Sequence, residues 1–235
     1  MDVAVYSKYC KEYFIFPGVT YDLPKLKTFL NKFKNRLSCK AVLFPFSDIS
    51  ILNLSSLMGE ISDHYLITIS DRNVLETLIK KKIFYPSLSK NNVPHPRTLF
   101  CDLEDPRSFE EITFPILVKP SESQIFSRKF GKKGFVAHTE EELHRYLSLA
   151  KKYKLDVMIQ EIVPGPAKNH YLIDGYFNKN SKPVILFARQ RLRMFPPLFG
   201  TSTACISIPI SEVYNMKEII VNYLRSLNFQ GIFNA

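Results

Sequence analysis

The stretch Phe-Pro-Ile-Leu-Val-Lys-Pro at residues 114–120 decides the fold of this 235-residue chain. Its apolar run predicts a buried strand that ends at a single lysine, Lys119. A polar, basic loop with two glycines follows, and a second apolar run at Phe135–Ala137 leads back toward the core. Such a loop can cover phosphates, because lysines and unhindered backbone N–H groups both bind anions. For Lys119 alone, a side chain that extends to the surface is an equally good interpretation.

The charge of the chain narrows the class of ligand. Lysine and arginine number 32 against 22 acidic residues, which gives a net charge of +10. This excess favours anionic ligands, with a lysine-rich surface as the alternative. The basic clusters are spread along the chain rather than gathered into one stripe, so a nucleic-acid partner is disfavoured.

The cysteine and hydropathy patterns indicate where the protein functions. Cys10, Cys39, Cys101 and Cys205 lie far apart, without the paired spacing of a metal site. We expect reduced thiols in a cytoplasmic protein. The apolar runs are too short for a membrane span, and the first residues do not form a signal peptide.

The order of elements predicts an α/β segment followed by an α+β segment. Strands at Val3–Tyr6, 41–46 and 65–69, alternating with helices, predict a parallel sheet of about three strands. Pro94 and Pro96 break the helical pattern and mark a domain boundary. Beyond that boundary the pattern predicts mainly antiparallel strands with a few helices.

Two further stretches are candidates for binding. The strand at 157–161 runs into Ile162-Val163-Pro164, which leaves unpaired backbone groups that could read an adenine edge, although many strands end this way. Arg189, Arg191 and Arg193 alternate along one strand and should face one side of its sheet. Three like charges there suit an anion, and a solvated face is the alternative. The loop at 194–203, with three hydroxyl residues, is a candidate substrate loop.

The sequence gives little support for a metal site or for a catalytic triad. The five histidines show no metal spacing, and each is interpreted as structural or exposed. No pair of metal-binding carboxylates is evident, so no residue of this chain is assigned to a metal.

The order of the motifs resembles the ATP-grasp superfamily, specifically its carbamoyl-phosphate-synthase-like carboxylate–amine ligases. The resemblance covers almost the whole chain. It rests on Lys81 and on five motifs, Ala-Val-Leu-Phe-Pro-Phe-Ser-Asp at 41–48, Val-Pro-His-Pro-Arg-Thr at 93–98, Phe-Pro-Ile-Leu-Val-Lys-Pro at 114–120, Ile-Gln-Glu-Ile-Val-Pro-Gly at 159–165 and the arginine strand with its loop at 189–202.

The resemblance implies a division of the chain. Residues 1–93 would form a partial Rossmann-like domain that precedes the ATP-grasp domain. Residues 94–235 would form an incomplete ATP-grasp fold of two α+β lobes, a small lobe at about 110–163 and a large one at about 164–235.

It also implies roles for single residues. Arg191 or Arg193 would face the transferred phosphate or the acyl phosphate. The backbone of Glu161 and Val163 would hold adenine. The full set implied to bind ATP is Lys81, Lys119, Ser121, Lys133, Gly134, Gln160, Glu161, Val163 and Asn169, where Asn169 stands near the position of an expected acidic residue.

The implied reaction uses ATP and Mg²⁺ to turn a small carboxylate substrate into an acyl phosphate, from which an amine displaces phosphate. In the family, carboxylates that bind the metal would begin just past Ala235. We therefore expect a chain truncated at its C-terminus and at its N-terminus, and inactive by itself. The alternative is a non-catalytic nucleotide-binding or interaction module.

Overall fold

The computed structural model describes residues 3–16, 22–100, 113–121, 126, 129–197 and 200–235. The chain divides into two compact units, Met1–Ile67 and Thr68–Ala235. Within the described ranges, no helix is both long and apolar enough to cross a bilayer. The predicted boundary between residues 93 and 94 concerns the family's domain organisation, and it stays a prediction.

The first unit contains two helices and a small parallel sheet. Its elements are a 3₁₀ helix at Val3–Tyr6, α1 at Leu23–Phe33, a 3₁₀ helix at Lys34–Arg36, β1 at Ala41–Val42, α2 at Asp48–Ile61 and β2 at Tyr65–Leu66. Asp22 caps α1 by accepting the Lys25 N–H, as aspartate commonly does at this position. The buried Tyr65 hydroxyl donates to the Leu30 carbonyl at 2.7 Å, which ties β2 to α1.

The first unit corrects three predictions. Val3–Tyr6 forms a 3₁₀ helix rather than a strand, since four residues without a pairing partner gain nothing from extended backbone. The strand predicted at 41–46 is only two residues long, and Val42 is exposed, so this strand is not a buried one. The parallel pairing is confirmed, but it joins two strands rather than three. The Rossmann-like interpretation of this region stays a prediction.

The second unit begins with two helices and a four-stranded antiparallel sheet. Its elements are α3 at Arg72–Ile79, α4 at Lys81–Lys90, β3 at Thr98–Phe100, β4 at Ile116–Pro120, β5 at Phe135–Ala137, α5 at Glu140–Lys152 and β6 at Val157–Glu161. The strand order is β3-β6-β4-β5. Apolar side chains of α5, such as Leu143 and Leu147, pack on Ile116 and Val118 of the sheet. This first sheet carries the lysine strand β4.

Lys119 lies within β4 rather than at its end, because the strand continues to Pro120. Lys119 pairs with Met158, and Pro120 pairs with Val157 of β6. On its other side β4 pairs with β5 only as far as Val118. The sheet therefore tolerates a proline, which lacks an N–H, at this position.

A second four-stranded antiparallel sheet completes the unit. It contains β7 at Tyr171–Phe177, β8 at Pro183–Phe195, β9 at Thr201–Ile208 and β10 at Gly231–Asn234, in the order β10-β7-β8-β9. Helix α6 at Tyr214–Ser226 packs Val221 and Leu224 against Phe177 and Phe229. The predicted antiparallel character of this part of the chain is confirmed, and β7 and β8 form a hairpin.

The Ser70 side chain hydrogen-bonds to the backbone directly before β10, and its removal should destabilise the fold. The Ser70 side chain is fully buried; its hydroxyl donates to the Gln230 carbonyl at 2.9 Å and accepts the Gln230 N–H at 2.7 Å. Ser70→Ala leaves both backbone groups without this partner, and we expect a loss of about 1–3 kcal/mol of unfolding free energy. Urea unfolding followed by circular dichroism measures it. Ser207→Ala, at an exposed serine of β9, is the control. Equal stability of Ser70→Ala and the wild type would contradict this role.

Candidate functional site

Lys119 is a largely buried cation on the first sheet. Among the residues that the structure describes, its ammonium group has no hydrogen-bond or ion-pair partner. Burial is the main cause that lowers the pKa of Lys119 from its ordinary value of 10.5, and the positive charge of Lys133 lowers it further. A desolvated, unpaired ammonium is unfavourable by itself, and an anion beside it would relieve that cost.

A cavity of about 840 Å³ lies beside Lys119, and strands of both sheets line it. Leu117 and Lys119 of β4 lie on one side, and Leu192, Arg193 and Met194 of β8 lie on the other. The lining continues from Gln160 through Ala167, a segment that leaves β6 and turns away from the sheet. The cavity thus joins an apolar region to two cations, and its volume is typical of sites for small organic ligands.

The end of β6 presents a free backbone donor at this cavity. The buried Gln160 side chain donates from Nε2 to Thr98 Oγ1 at 2.8 Å, and the Glu161 N–H donates to the Arg97 carbonyl at 3.0 Å. Two residues further along this lining, the Val163 N–H makes no hydrogen bond to any residue in the described ranges. Val163 is 65% exposed, so its N–H is available to a ligand. A planar ring with an acceptor on its edge could bind there.

Two predicted phosphate ligands, Lys81 and Ser121, lie together but do not line this cavity. The Lys81 ammonium donates to the Ser121 carbonyl at 2.7 Å. The Ser121 hydroxyl is buried and has no partner in the described part of the chain. Lys81 fixes the backbone that carries this hydroxyl.

The glycine-bearing loop reaches from the first sheet to the second. Lys133 donates from Nζ to Thr201 Oγ1 at the start of β9, at 3.0 Å. Gly134 lies against β4 so closely that a Cβ atom there would be 2.9 Å from the Val118 carbonyl oxygen. Only glycine fits here without a shift of the backbone. The chain therefore enters β5 in close contact with β4, the strand that carries Lys119.

The three arginines of β8 have different environments, which corrects the simple alternation predicted for them. Two register shifts interrupt β8 and β9 around Arg191 and Arg193. Because a bulge changes which face a residue presents, period-two spacing does not hold through this region. Arg193 lines the cavity, whereas Arg191 contacts His170 and Ser202 instead. Asp174 binds Arg189 in a bidentate ion pair and raises the pKa of the Arg189 guanidinium.

Sequence reasoning missed His170, which it interpreted as structural or exposed. The structure places His170 in the lining of the cavity, with Nδ1 accepting from Arg191 Nη1 at 3.1 Å. Asn169, the predicted ligand beside it, ends a 3₁₀ helix next to Gly165 and is not among the residues found to line the cavity. The pairing of His170 with a residue 21 positions away leaves no signal in a single sequence.

Comparisons with known proteins agree with this arrangement. No protein-family model matches the chain. Over 240 residues it is 26% identical to a D-aspartate ligase of Enterococcus faecium, a match that covers 94% of this chain and 55% of the ligase. The structure of an L-amino acid ligase from Bacillus licheniformis matches with a TM-score of 0.65 and 11% identity, over 92% of this chain and 49% of that one.

A D-alanine–D-alanine ligase from Bacillus anthracis, crystallised with ATP, matches with a TM-score of 0.52 and 13% identity, over 76% of this chain and 58% of that one. The matched structures show that the chain has the fold of the ATP-grasp ligases. The resemblance to these ligases predicted from the order of the motifs is confirmed, and so is the general α/β character of the fold. The chain spans about half the length of the D-aspartate ligase that it matches.

The described residues contain no group of three or more histidine, cysteine, aspartate or glutamate side chains close enough to hold a metal ion. Asp174 is occupied by Arg189 and by Asn234, whose Nδ2 donates to Asp174 Oδ1 at 2.6 Å. Magnesium needs free carboxylate oxygens in addition to phosphates, and Asp174 does not offer them in this arrangement.

Proposed function

We propose that this chain binds ATP and forms the nucleotide-binding part of a carboxylate–amine ligase. The cavity beside Lys119 carries the proposal. It brings together a free backbone donor on an apolar wall and two cations, Lys119 and Arg193, and ATP combines a planar base with a triphosphate in the same way.

The base and the phosphates would occupy different parts of the cavity. Adenine would lie against Leu117 and Met194 and hydrogen-bond to the backbone of Glu161 and Val163. The triphosphate would extend toward Lys119 and Arg193, which would stabilise the charge that develops as a phosphoryl group is transferred. Lys133 and Gly134 would cover it. Asn169 would approach the ribose from the turn after Gly165.

The proposed reaction joins a carboxylate to an amine. A carboxylate oxygen attacks the terminal phosphorus of ATP, which forms an acyl phosphate and releases ADP. The amine nitrogen then attacks the acyl carbon, phosphate leaves, and an amide bond results. The names of three of the matched proteins specify amino acids as what is ligated, so we propose an amino acid as one substrate. Magnesium, if bound with ATP, would offset the negative charge of the phosphates during the transfer.

Calorimetry with the purified chain tests the nucleotide site. We expect ATP to bind with one site per chain, and adenosine to bind more weakly, since it lacks the phosphates that Lys119 and Arg193 would contact. Titrations with and without Mg²⁺ show how much of the affinity depends on the metal. If neither ATP nor adenosine bound while the chain was folded, the proposal would be wrong.

The lowered pKa of Lys119 leads to a prediction about protons. Phosphate oxygens favour the charged form of Lys119 and should raise its pKa again on binding. Binding should therefore take up a proton at alkaline pH, where the free protein has already lost it. For the same reason affinity should fall as pH rises from the lowered pKa of the free protein toward that of the complex.

Calorimetry in alkaline buffers with different ionisation enthalpies measures this uptake. Lys119→Arg is the matched control, because a guanidinium keeps its proton throughout this range. Wild-type protein that bound ATP in this window without proton uptake would show that the phosphates do not lie beside Lys119.

A further inference from the structure

Three consecutive hydroxyl residues at the start of β9 each hold one cation. Thr201 accepts a hydrogen bond from Lys133 Nζ at 3.0 Å, and Ser202 accepts one from Arg191 Nε at 2.7 Å. Thr203 accepts from Arg193 Nε at 3.3 Å. We call Thr201, Ser202 and Thr203 the hydroxyl row.

The cations held by the hydroxyl row keep their charge. A hydroxyl or a neutral imidazole orients a cation without cancelling its charge, whereas a carboxylate forms an ion pair with it. Arg189 on the same strand shows the contrast, because Asp174 binds it through both oxygens. Among the described residues, no carboxylate contacts Lys133, Arg191 or Arg193. Three fixed positive charges therefore remain available to a ligand.

The irregular pairing of β8 with β9 makes this arrangement possible. In a regular strand, neighbouring side chains point to opposite faces, so a bulge changes which side chains of the partner strand a residue meets. Here Arg191 pairs with Cys205, Arg193 with Ala204 and Met194 with Ser202, so each strand gains one extra residue within a few positions. The two shifts compensate each other, and pairing is regular again toward Ala188.

We infer that Thr201, Ser202 and Thr203 are positioning residues, which orient Lys133, Arg191 and Arg193 for the polyphosphate of the ligand. This inference rests on the proposed ATP site and adds residues to it. Ser202 acts together with His170, which holds the other side of the Arg191 guanidinium. Thr201 has a second effect, since its contact with Lys133 connects the glycine-bearing loop of the first sheet to the second sheet.

The hydroxyl row can be tested by separating the phosphate and the nucleoside parts of the ligand. The probes are ATP, inorganic triphosphate and adenosine, each titrated into the wild type, Ser202→Ala, Thr203→Val and the double variant. Each single variant should bind ATP and triphosphate about five- to tenfold more weakly, since one orienting hydrogen bond is lost. Adenosine affinity should not change. Ser202→Thr and Thr203→Ser, which keep the hydroxyl, should bind within about twofold of the wild type.

Ser207→Ala is the matched control, because Ser207 lies on the same strand and pairs with Arg189, which Asp174 already holds. It should bind all three probes as the wild type does. Thermal unfolding of each variant shows that the second sheet remains folded. A uniform loss of affinity for all three probes would indicate a merely structural role and overturn the inference.

The outcomes separate this inference from the proposed function. If the wild type binds ATP but the alanine and valine variants bind it equally well, the inference fails and the ATP site stands. A second outcome would be that triphosphate binding depends on the hydroxyls, that ATP binds no better than triphosphate, and that adenosine does not bind. The hydroxyl row would then orient cations for another polyanion, and the proposed ATP site would be wrong. If the folded wild type binds none of the probes, both are wrong.

Discussion

Lys119→Met is expected to weaken ATP binding by about one to two orders of magnitude, because a hydrogen bond to a charged group contributes roughly 1.5–3 kcal/mol. The same change should make the free protein more stable. Methionine has a similar length and no charge to bury, and the Lys119 ammonium is both desolvated and close to Lys133. Affinity and stability should therefore move in opposite directions, which a variant that merely misfolds cannot show.

Calorimetry gives the affinity, and urea unfolding without nucleotide gives the stability. Lys179→Met is the control, because Lys179 is exposed in the hairpin between β7 and β8, at the other end of β8 from Arg193. It should change neither quantity by much. Lys119→Met that bound ATP as tightly as the wild type would exclude Lys119 from the phosphate site.

Val163→Pro is expected to weaken ATP and adenosine binding by about tenfold, in line with the loss of one hydrogen bond to the base. Proline removes the backbone N–H, and it also replaces the valine side chain. Val163 is exposed, and its N–H bonds to no other described residue, so the fold should tolerate the change. Binding of inorganic triphosphate should stay as it is in the wild type.

Val163→Ala separates the backbone from the side chain. Alanine keeps the N–H and shortens the side chain, so Val163→Ala should bind ATP nearly as well as the wild type. Equal losses in Val163→Ala and Val163→Pro, measured by calorimetry, would show that the valine side chain rather than its N–H contacts the base.

Local signals in the sequence predicted the elements that stand next to the site. The bounds of β5 and β6 agree with the predicted ones, because each depends on neighbours along the chain. Thr139 caps α5 by accepting the Glu142 N–H, and Pro164 follows the free end of β6. Five of the predicted site residues also line one cavity, Lys119, Gln160, Glu161, Val163 and Arg193.

Contacts between distant strands could not be predicted in this way. His170 meets Arg191 only because β7 and β8 pair, and Ser70 meets Gln230 across 160 positions. The register shifts near Arg191 have no local signature, so the even spacing of three arginines suggested one common face. The sequence placed the hydroxyl residues at 201–203 in a loop. In the structure they belong to β9, and each accepts a hydrogen bond from a cationic side chain.

A crystal structure with a non-hydrolysable ATP analogue tests the central claim most directly, since it locates base and phosphates together. We expect the edge of the adenine at the Glu161 carbonyl and the Val163 N–H, with the triphosphate between Lys119 and Arg193 and Lys133 above it. An analogue bound elsewhere, or bound here with its phosphates turned away from Lys119, would contradict the account.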